Sequence, residues 1–288
     1  MASVRTVLSL FKLRIGLVIA VTALGGIAVQ PGKGPGGVAM GLLFVFVLLA
    51  SAASGAFNQW WEADLDRTMR RTARRPFACG ALKPDGFWLA VITALVVLAG
   101  VGAWWATNGP AAVYTVAGAL TYGIVYTVWL KRRTWWNIVV GGLAGSFAVL
   151  AGAAAVNPEL SVEAWILTVV LFLWTPPHFW SLAIACRDDY AAAGVPMLPV
   201  AKGDAYAARA ITAHAVALLL LTVALGMVAK APVTLVLSVI GGGWFVFESL
   251  RLQLDPTRRR AFRAFAASLT QLTLVLAGAM IDAAWRAF

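Results

Sequence analysis

Asn58, Glu62 and Asp66 are spaced four residues apart in "FNQWWEADLDRTMRRTARRP", a passage that also carries Arg67, Arg70, Arg71, Arg74 and Arg75. On a helix this spacing forms one stripe about 12 Å long and puts Asp64 on a different face. A second acidic group, Asp188 and Asp189, follows Arg187 in "CRDDYAAAGVPMLPV". Two sets of carboxylates facing one another across a cavity repel unless cations sit between them. All the candidate ligands are oxygens, and no Cys/His cluster accompanies them, so a hard ion such as Mg²⁺ is the natural guest. Mg²⁺ takes one or two carboxylates and fills its shell with water and phosphate oxygens. The arginines and Lys131 would then hold the remaining charge of a phosphate-rich ligand, since Arg can grip two oxygens at once. Acid and base in one pocket read as a magnesium–diphosphate site.

The elements that must position these groups are set by composition. Of 288 residues, 61% are apolar and only 12% charged, with a mean hydropathy of +0.83. An ordinary soluble domain is about 25% charged, so this chain cannot cover a water-facing surface and reads as an integral membrane protein. The net charge of +11 then belongs to basic cytoplasmic loops rather than to nucleic-acid binding. Cys79 and Cys186 are too few for a disulfide framework and lack metal-ligand spacing. Arg5, Lys12 and Arg14 precede an apolar stretch ending near Ala28, with no clear small-residue cleavage site, so an uncleaved first span is expected. No Arg/Ser-rich presequence precedes it, which favours the bacterial plasma (inner) membrane.

About 20 apolar residues cross a bilayer as a helix. Nine segments qualify: 14–30, 38–60, 87–106, 111–130, 137–156, 162–185, 208–229, 231–249 and 264–284. Backbone groups in lipid must be satisfied internally, and the alternation of a barrel is absent, so the expected fold is an all-α bundle. With nine spans, all of the 23 Lys and Arg except Lys33, Lys230 and Arg286 fall on one side, together with the N-terminus. By the positive-inside rule that side is cytoplasmic. One membrane domain over 1–288 is expected, with two long cytoplasmic loops at about 61–86 and 186–207 as the place for function. Acids and arginines at helix ends can also pair with each other and with lipid headgroups. That reading suits Arg70, Arg74 and Arg258 to Arg260 better than the stripe, because carboxylates beside an anionic leaflet need a reason.

The stretch from Asn58 to Pro76 resembles the first aspartate-rich motif of the UbiA-type intramembrane prenyltransferases. "YTVWLKRRTWWNIVVGG", "LFLWTPPHFWSLAI" and "DDYAAAGVPMLPV" are similar to the branch of that family that farnesylates heme, and the likeness runs from about Phe11 to Val200. It implies nine transmembrane helices around a central cavity open laterally to lipid. It implies transfer of a farnesyl group from farnesyl diphosphate to a vinyl group of heme b, giving heme O for the enzyme that oxidises it. Asn58, Glu62, Asp66, Asp188 and Asp189 are then the expected Mg²⁺ ligands. Arg71, Arg75, Tyr126, Lys131 and Arg132 are the expected diphosphate partners. Glu62 stands where the family usually has Asp, Leu13 where it usually has Pro, and "SFAVL" lacks prolines often found there.

His178 in "TPPHFW" follows Pro176 and Pro177, where a kink is expected. Imidazole is a common iron ligand, so His178, with Trp174, Trp180 and Arg187, is a candidate for heme contact; a bond to a backbone carbonyl is the plainer alternative. His214 reads as structural, Glu248 as a partner of Arg251, and Gly141 and Gly145 as a helix-packing pair. Two other functions compete. A sister prenyltransferase using an aromatic or quinone-precursor acceptor would share the metal site. A transporter would place ionisable groups near the midplane, whereas here the acids gather at one edge.

Overall fold

Long runs of Ala, Val, Leu and Gly can satisfy their backbone in lipid only within the segment, and the chain does so as helices. The computed structural model describes residues 4–286, without the side chains of Val4 and Arg5, so the Arg5 charge counted above lies outside the described residues. In order the helices are α1 (Val4–Leu10), α2 (Leu13–Val29), α3 (Gly37–Trp61), α4 (Ala63–Thr68), α5 (Gly86–Ala106) and α6 (Gly109–Leu120). A π-helical segment (Thr121–Leu130) continues α6. Then come α7 (Asn137–Gly141), α8 (Leu143–Val156), α9 (Val162–Ala185), α10 (Arg187–Ala192), α11 (Leu198–Lys202), α12 (Asp204–Val228), α13 (Pro232–Leu254) and α14 (Arg258–Arg286). Among the described residues eight helices are long and apolar enough to cross a membrane, and Leu13–Val29 is a shorter apolar one of 17 residues.

Local chemistry sets the span starts. Asp85, Asn108 and Ser161 each accept a hydrogen bond from a backbone N–H of the first turn that follows, at Trp88, Ala111 and Ala164. The bundle packs chiefly as α13 on α14 and α12, α3 on α5, α2 on α8, and α9 on α12 and α14. Where α2 crosses α8 the backbones almost touch. A Cβ at Gly26 or Gly152 would overlap the carbonyl of Val149 or Ala23, so only glycine fits there. Side chains such as Trp105, Val38 and Leu220 face outward, as lipid requires.

Three features differ from the sequence expectation. Helices α13 and α14 are longer than expected and are separated only by residues 255–257, so Arg251 and Arg258 to Arg263 are helical. The two long loops are partly structured, by α4 in one and by α10, α11 and the start of α12 in the other. Helix α9 runs unbroken through Pro176 and Pro177. The Phe172 carbonyl, which loses its intrahelical donor to Pro176, lies where a Cβ at Gly142 would be 3.2 Å away. The absence of a side chain at Gly142 lets α9 approach closely at the proline pair.

Candidate active site

The stripe survives a break in its helix. Helix α3 ends at Trp61 and α4 begins at Ala63, with Glu62 between them at φ −99°, ψ 17°. Glu62 N–H still donates to the Asn58 carbonyl (3.0 Å), and Asp66 N–H to the Glu62 carbonyl (2.8 Å), so the four-residue register carries through. Asn58, Glu62 and Asp66 are all buried, the two carboxylates completely. Asp64, off the stripe, is exposed.

Each buried carboxylate has a cation. Lys131 Nζ donates to Glu62 Oε2 at 2.5 Å, and Asn58 Nδ2 donates to the same oxygen at 2.7 Å. Glu62 Oε1 is buried and, among the described residues, without a hydrogen-bond partner. Arg75 Nη1 lies 2.8 Å from both oxygens of Asp66. Burial pulls the Lys131 ammonium below its usual range, and the charge of Glu62 opposes the shift without cancelling it.

The π-helical segment explains how Lys131 gets there. A π-helix is wider than an α-helix and bonds each N–H to the carbonyl five residues back, as the Lys131 N–H does to Tyr126 (2.9 Å). Tyr122, Tyr126, Thr127 and Lys131 therefore face the buried Asn58–Glu62 stripe, with the tyrosine rings stacked 5.6 Å apart and Thr127 Oγ1 accepting from Asn58 at 3.1 Å. A regular α-helix would have rotated Lys131 off that face. Such π-turns recur at functional sites. Gly141 makes room for the Tyr126 ring, since a Cβ there would meet it at 2.7 Å, whereas Gly145 is in ordinary contact with α9.

The second loop joins through Tyr190. Its hydroxyl accepts from Arg71 Nη2 at 3.0 Å, and its ring packs with Leu65, Met69, Val195 and Met197. Asp188 and Asp189, in the first turn of α10, thus sit two residues and one residue from a side chain that contacts the first loop. Asp188 is exposed and Asp189 half-buried, and among the described residues neither makes a salt bridge.

Other expected site residues lie elsewhere. Arg132 forms a two-pronged pair with exposed Asp64 (2.9 and 3.1 Å), whose carboxyl it holds below the usual range. Arg187 is exposed and 3.7 Å from Asp204. His178 is sandwiched between Trp174 and Phe265, each 4.3 Å away, with Nδ1 2.8 Å from Ser268 Oγ; the Trp174 indole N–H donates to the Ser268 carbonyl at 2.8 Å. Both pack against α14. Trp180 is turned toward His214 on α12, so the heme candidates do not share one surface. His214 Nδ1 lies 2.8 Å from the Ala210 carbonyl, a local helical contact, and Glu248 lies 3.9 Å from Arg251. Composition and motif reading missed Lys12, whose Nζ donates to Asn58 Oδ1 at 2.6 Å; its only sequence signal was a positive charge at the head of the first span. Asn58 consequently presents its nitrogen, not its oxygen, to Glu62.

The donor set suits a magnesium–diphosphate guest. Among the described residues no three Asp, Glu, His or Cys side chains gather around one point, so protein alone would not complete a metal shell, and Mg²⁺ is content with one or two carboxylates plus phosphate oxygens and water. Buried acid, surrounding cations and an unpartnered Glu62 oxygen match that chemistry.

The family model described as the UbiA prenyltransferase family matches residues 19–274. The chain belongs to the UbiA prenyltransferase family. It is a prenyltransferase and a multi-pass membrane protein. Among its UbiA relatives, the protoheme IX farnesyltransferases 2 and 1 of Paramagnetospirillum magneticum (strain ATCC 700264 / AMB-1) are 48% and 45% identical, over 98% of this chain and 98% and 99% of theirs. The protoheme IX farnesyltransferase of Jannaschia sp. (strain CCS1) is 37% identical, over 96% of this chain and 92% of its own. The fold matches that of a digeranylgeranylglyceryl phosphate synthase, with a TM-score of 0.77 and 18% identity, over 98% of this chain and 99% of that one. It also matches a UbiA homolog from Archaeoglobus fulgidus bound to DMAPP and Mg²⁺, with a TM-score of 0.66 and 15% identity, over 93% of this chain and 99% of that one.

Proposed function

We propose that this chain transfers the farnesyl group of farnesyl diphosphate to a vinyl group of heme b, giving heme O, with Mg²⁺ bound beside the diphosphate. The observation that carries the reading is the pairing of two buried carboxylates, Glu62 and Asp66, with Lys131 and Arg75 at 2.5 and 2.8 Å. The names of the relatives at 45–48% identity support the choice of donor and acceptor, and the diphosphate-bound fold neighbour supports the metal. All of it would form one membrane unit, with the site at the cytoplasmic face that the excess of Lys and Arg marks.

Glu62 and Asp66 would be the carboxylates that hold Mg²⁺, whose charge would offset that of the departing diphosphate, while Asp188 and Asp189 would add negative charge from the second loop. Lys131, Arg75 and Arg71 supply fixed positive charge where the leaving group develops its own. As the allylic C–O bond breaks, the electron pair leaves with the diphosphate and the farnesyl carbon bonds the terminal vinyl carbon. Water then adds to the adjoining carbon and a proton is released, leaving a hydroxyethylfarnesyl group. Tyr122 and Tyr126 wall the pocket with stacked rings and exclude water earlier, when it would hydrolyse the donor. Of the residues expected at the heme, only exposed Arg187 would serve the tetrapyrrole or the diphosphate from the rim; His178, held between Trp174 and Phe265, and Trp180, turned toward His214, would shape the α9 wall from within the bundle.

Mass analysis of heme extracted from cells expressing the chain tests this directly. A farnesyl-sized adduct that disappears in Glu62→Gln and Asp66→Asn is expected. An adduct on hydroxybenzoate but not on heme, or full turnover in EDTA, would overturn the acceptor or the metal assignment respectively.

A further inference from the structure

Lys12 occupies the joint between α1 and α2, in the left-handed region at φ 45°, ψ 43°, a conformation that costs a residue with a Cβ and that persists where surrounding contacts enforce it. Those contacts come from α3 and, at the ammonium, from Tyr122 of the π-helical segment. Gln59 Nε2 donates to the carbonyls of Ser9 and Leu10 at 3.2 and 2.9 Å, tying the end of α1 down. The Lys12 stem crosses Gly55, where a Cβ would lie 3.5 Å from Lys12 Cδ. The ammonium then reaches Asn58 Oδ1 at 2.6 Å and Tyr122 OH at 3.4 Å.

The chemistry of the partners leaves Asn58 one orientation. An ammonium only donates and an ionised carboxylate only accepts. The Asn58 oxygen must therefore face Lys12, and its nitrogen must face Glu62 Oε2 (2.7 Å) and Thr127 Oγ1 (3.1 Å). Turned over, the amide would set oxygen against carboxylate and N–H against ammonium. With Asn58 locked and Lys131 on the same oxygen, Glu62 Oε2 is fully engaged, and Oε1, buried and without a hydrogen-bond partner among the described residues, is the atom left for an incoming ligand.

We infer that Lys12 is a positioning residue: by fixing the Asn58 amide it clamps Glu62 so that Oε1 alone is offered to the metal–diphosphate. This rests on the function proposed above. It assigns Asn58 to the support of Glu62 rather than to the ion, and gives the head of the first span a task in the site.

The test uses the full-length protein in detergent, with Lys12→Met, Asn58→Ala, the double variant and Lys12→Arg. Read-outs are Mn²⁺ affinity by electron paramagnetic resonance in the presence of farnesyl thiodiphosphate, kcat and KM for farnesyl diphosphate, and thermal unfolding. Lys12→Met and Asn58→Ala should each weaken Mn²⁺ binding and lower kcat about 10- to 100-fold, as support residues of metal ligands do. The double variant should be no worse than either single, because both act through one contact. Lys12→Arg, which keeps a donor, should recover part of the loss. Multiplying effects, or a Lys12→Met that raises only KM, would overturn the inference in favour of direct diphosphate contact. A Lys12→Met that only lowers the unfolding temperature would reduce Lys12 to a structural residue. Should it fail to fold, Lys12→Gln is read by the same criteria. If Asn58→Ala is silent, the proposed site itself fails; if only Lys12→Met is silent, the positioning role fails alone.

Discussion

Lys131 Nζ lies 2.5 Å from Glu62 Oε2, across 69 residues of sequence, with the carboxylate fully buried. Removing one partner of a buried pair strands the other charge at a cost of about 3–5 kcal/mol, whereas removing both together costs far less. Lys131→Met should therefore unfold well before the parent in detergent, and the double variant Glu62→Gln/Lys131→Met should regain most of that loss. Unfolding curves settle this, and additive losses would show that the two groups are not coupled.

The two acids on either side of Leu65 should behave oppositely. Asp66 is fully buried against Arg75, while Asp64 pairs with Arg132 in the open. Asp66→Asn should lower turnover about 10²- to 10³-fold, the scale of losing a preorganised charge contact. Asp64→Asn should change stability by less than about 1 kcal/mol and leave prenyl transfer within about threefold. Turnover assays and melting curves on the two variants check the contrast.

The alkaline limb of activity should belong to Lys131. Burial sets its folded pKa below the unfolded one, so the folded state binds fewer protons than the unfolded state between those values. The contribution of Lys131 to stability therefore improves as pH rises through that window and is complete above the unfolded value. Activity should run the other way, because the cation proposed to face the diphosphate is lost as pH passes the folded value. Lys131→Arg, which stays protonated, should hold kcat/KM to higher pH, and superimposable profiles would remove Lys131 as the titrating group.

Glycine-to-alanine changes should separate packing from propensity. At Gly141 the new methyl would meet the Tyr126 ring at 2.7 Å, while at Gly243 it would meet nothing within 4 Å. Gly141→Ala should cost about 1–3 kcal/mol by overpacking and impair turnover by displacing Tyr126. Gly243→Ala should be neutral or gain up to about 1 kcal/mol of helix propensity. Thermal scans and farnesyl transfer on both proteins give the comparison.

Much of the candidate site was legible because its residues share one helix face. The register of Asn58, Glu62 and Asp66 follows from 3.6 residues per turn, and a one-residue break at Glu62 did not disturb it. The arginines near the stripe could not be sorted in the same way. Arg75 goes to the buried Asp66, Arg71 to Tyr190, and Arg132 to the surface pair with Asp64, and nothing in their spacing distinguishes them. Long flexible side chains reach several acids, so their partners depend on which neighbouring element closes over each one.

The amino-acid sequence by itself determined the membrane, the helical spans and the edge at which charge gathers, because burial of apolar surface and backbone satisfaction in lipid act along the chain. Which groups meet was decided only in three dimensions. Lys12 reaches Asn58 through a left-handed backbone held by Gln59, and Lys131 reaches Glu62 through a π-helical turn. Both depend on contacts between segments 46 to 69 residues apart, and such contacts form only when the whole bundle has packed.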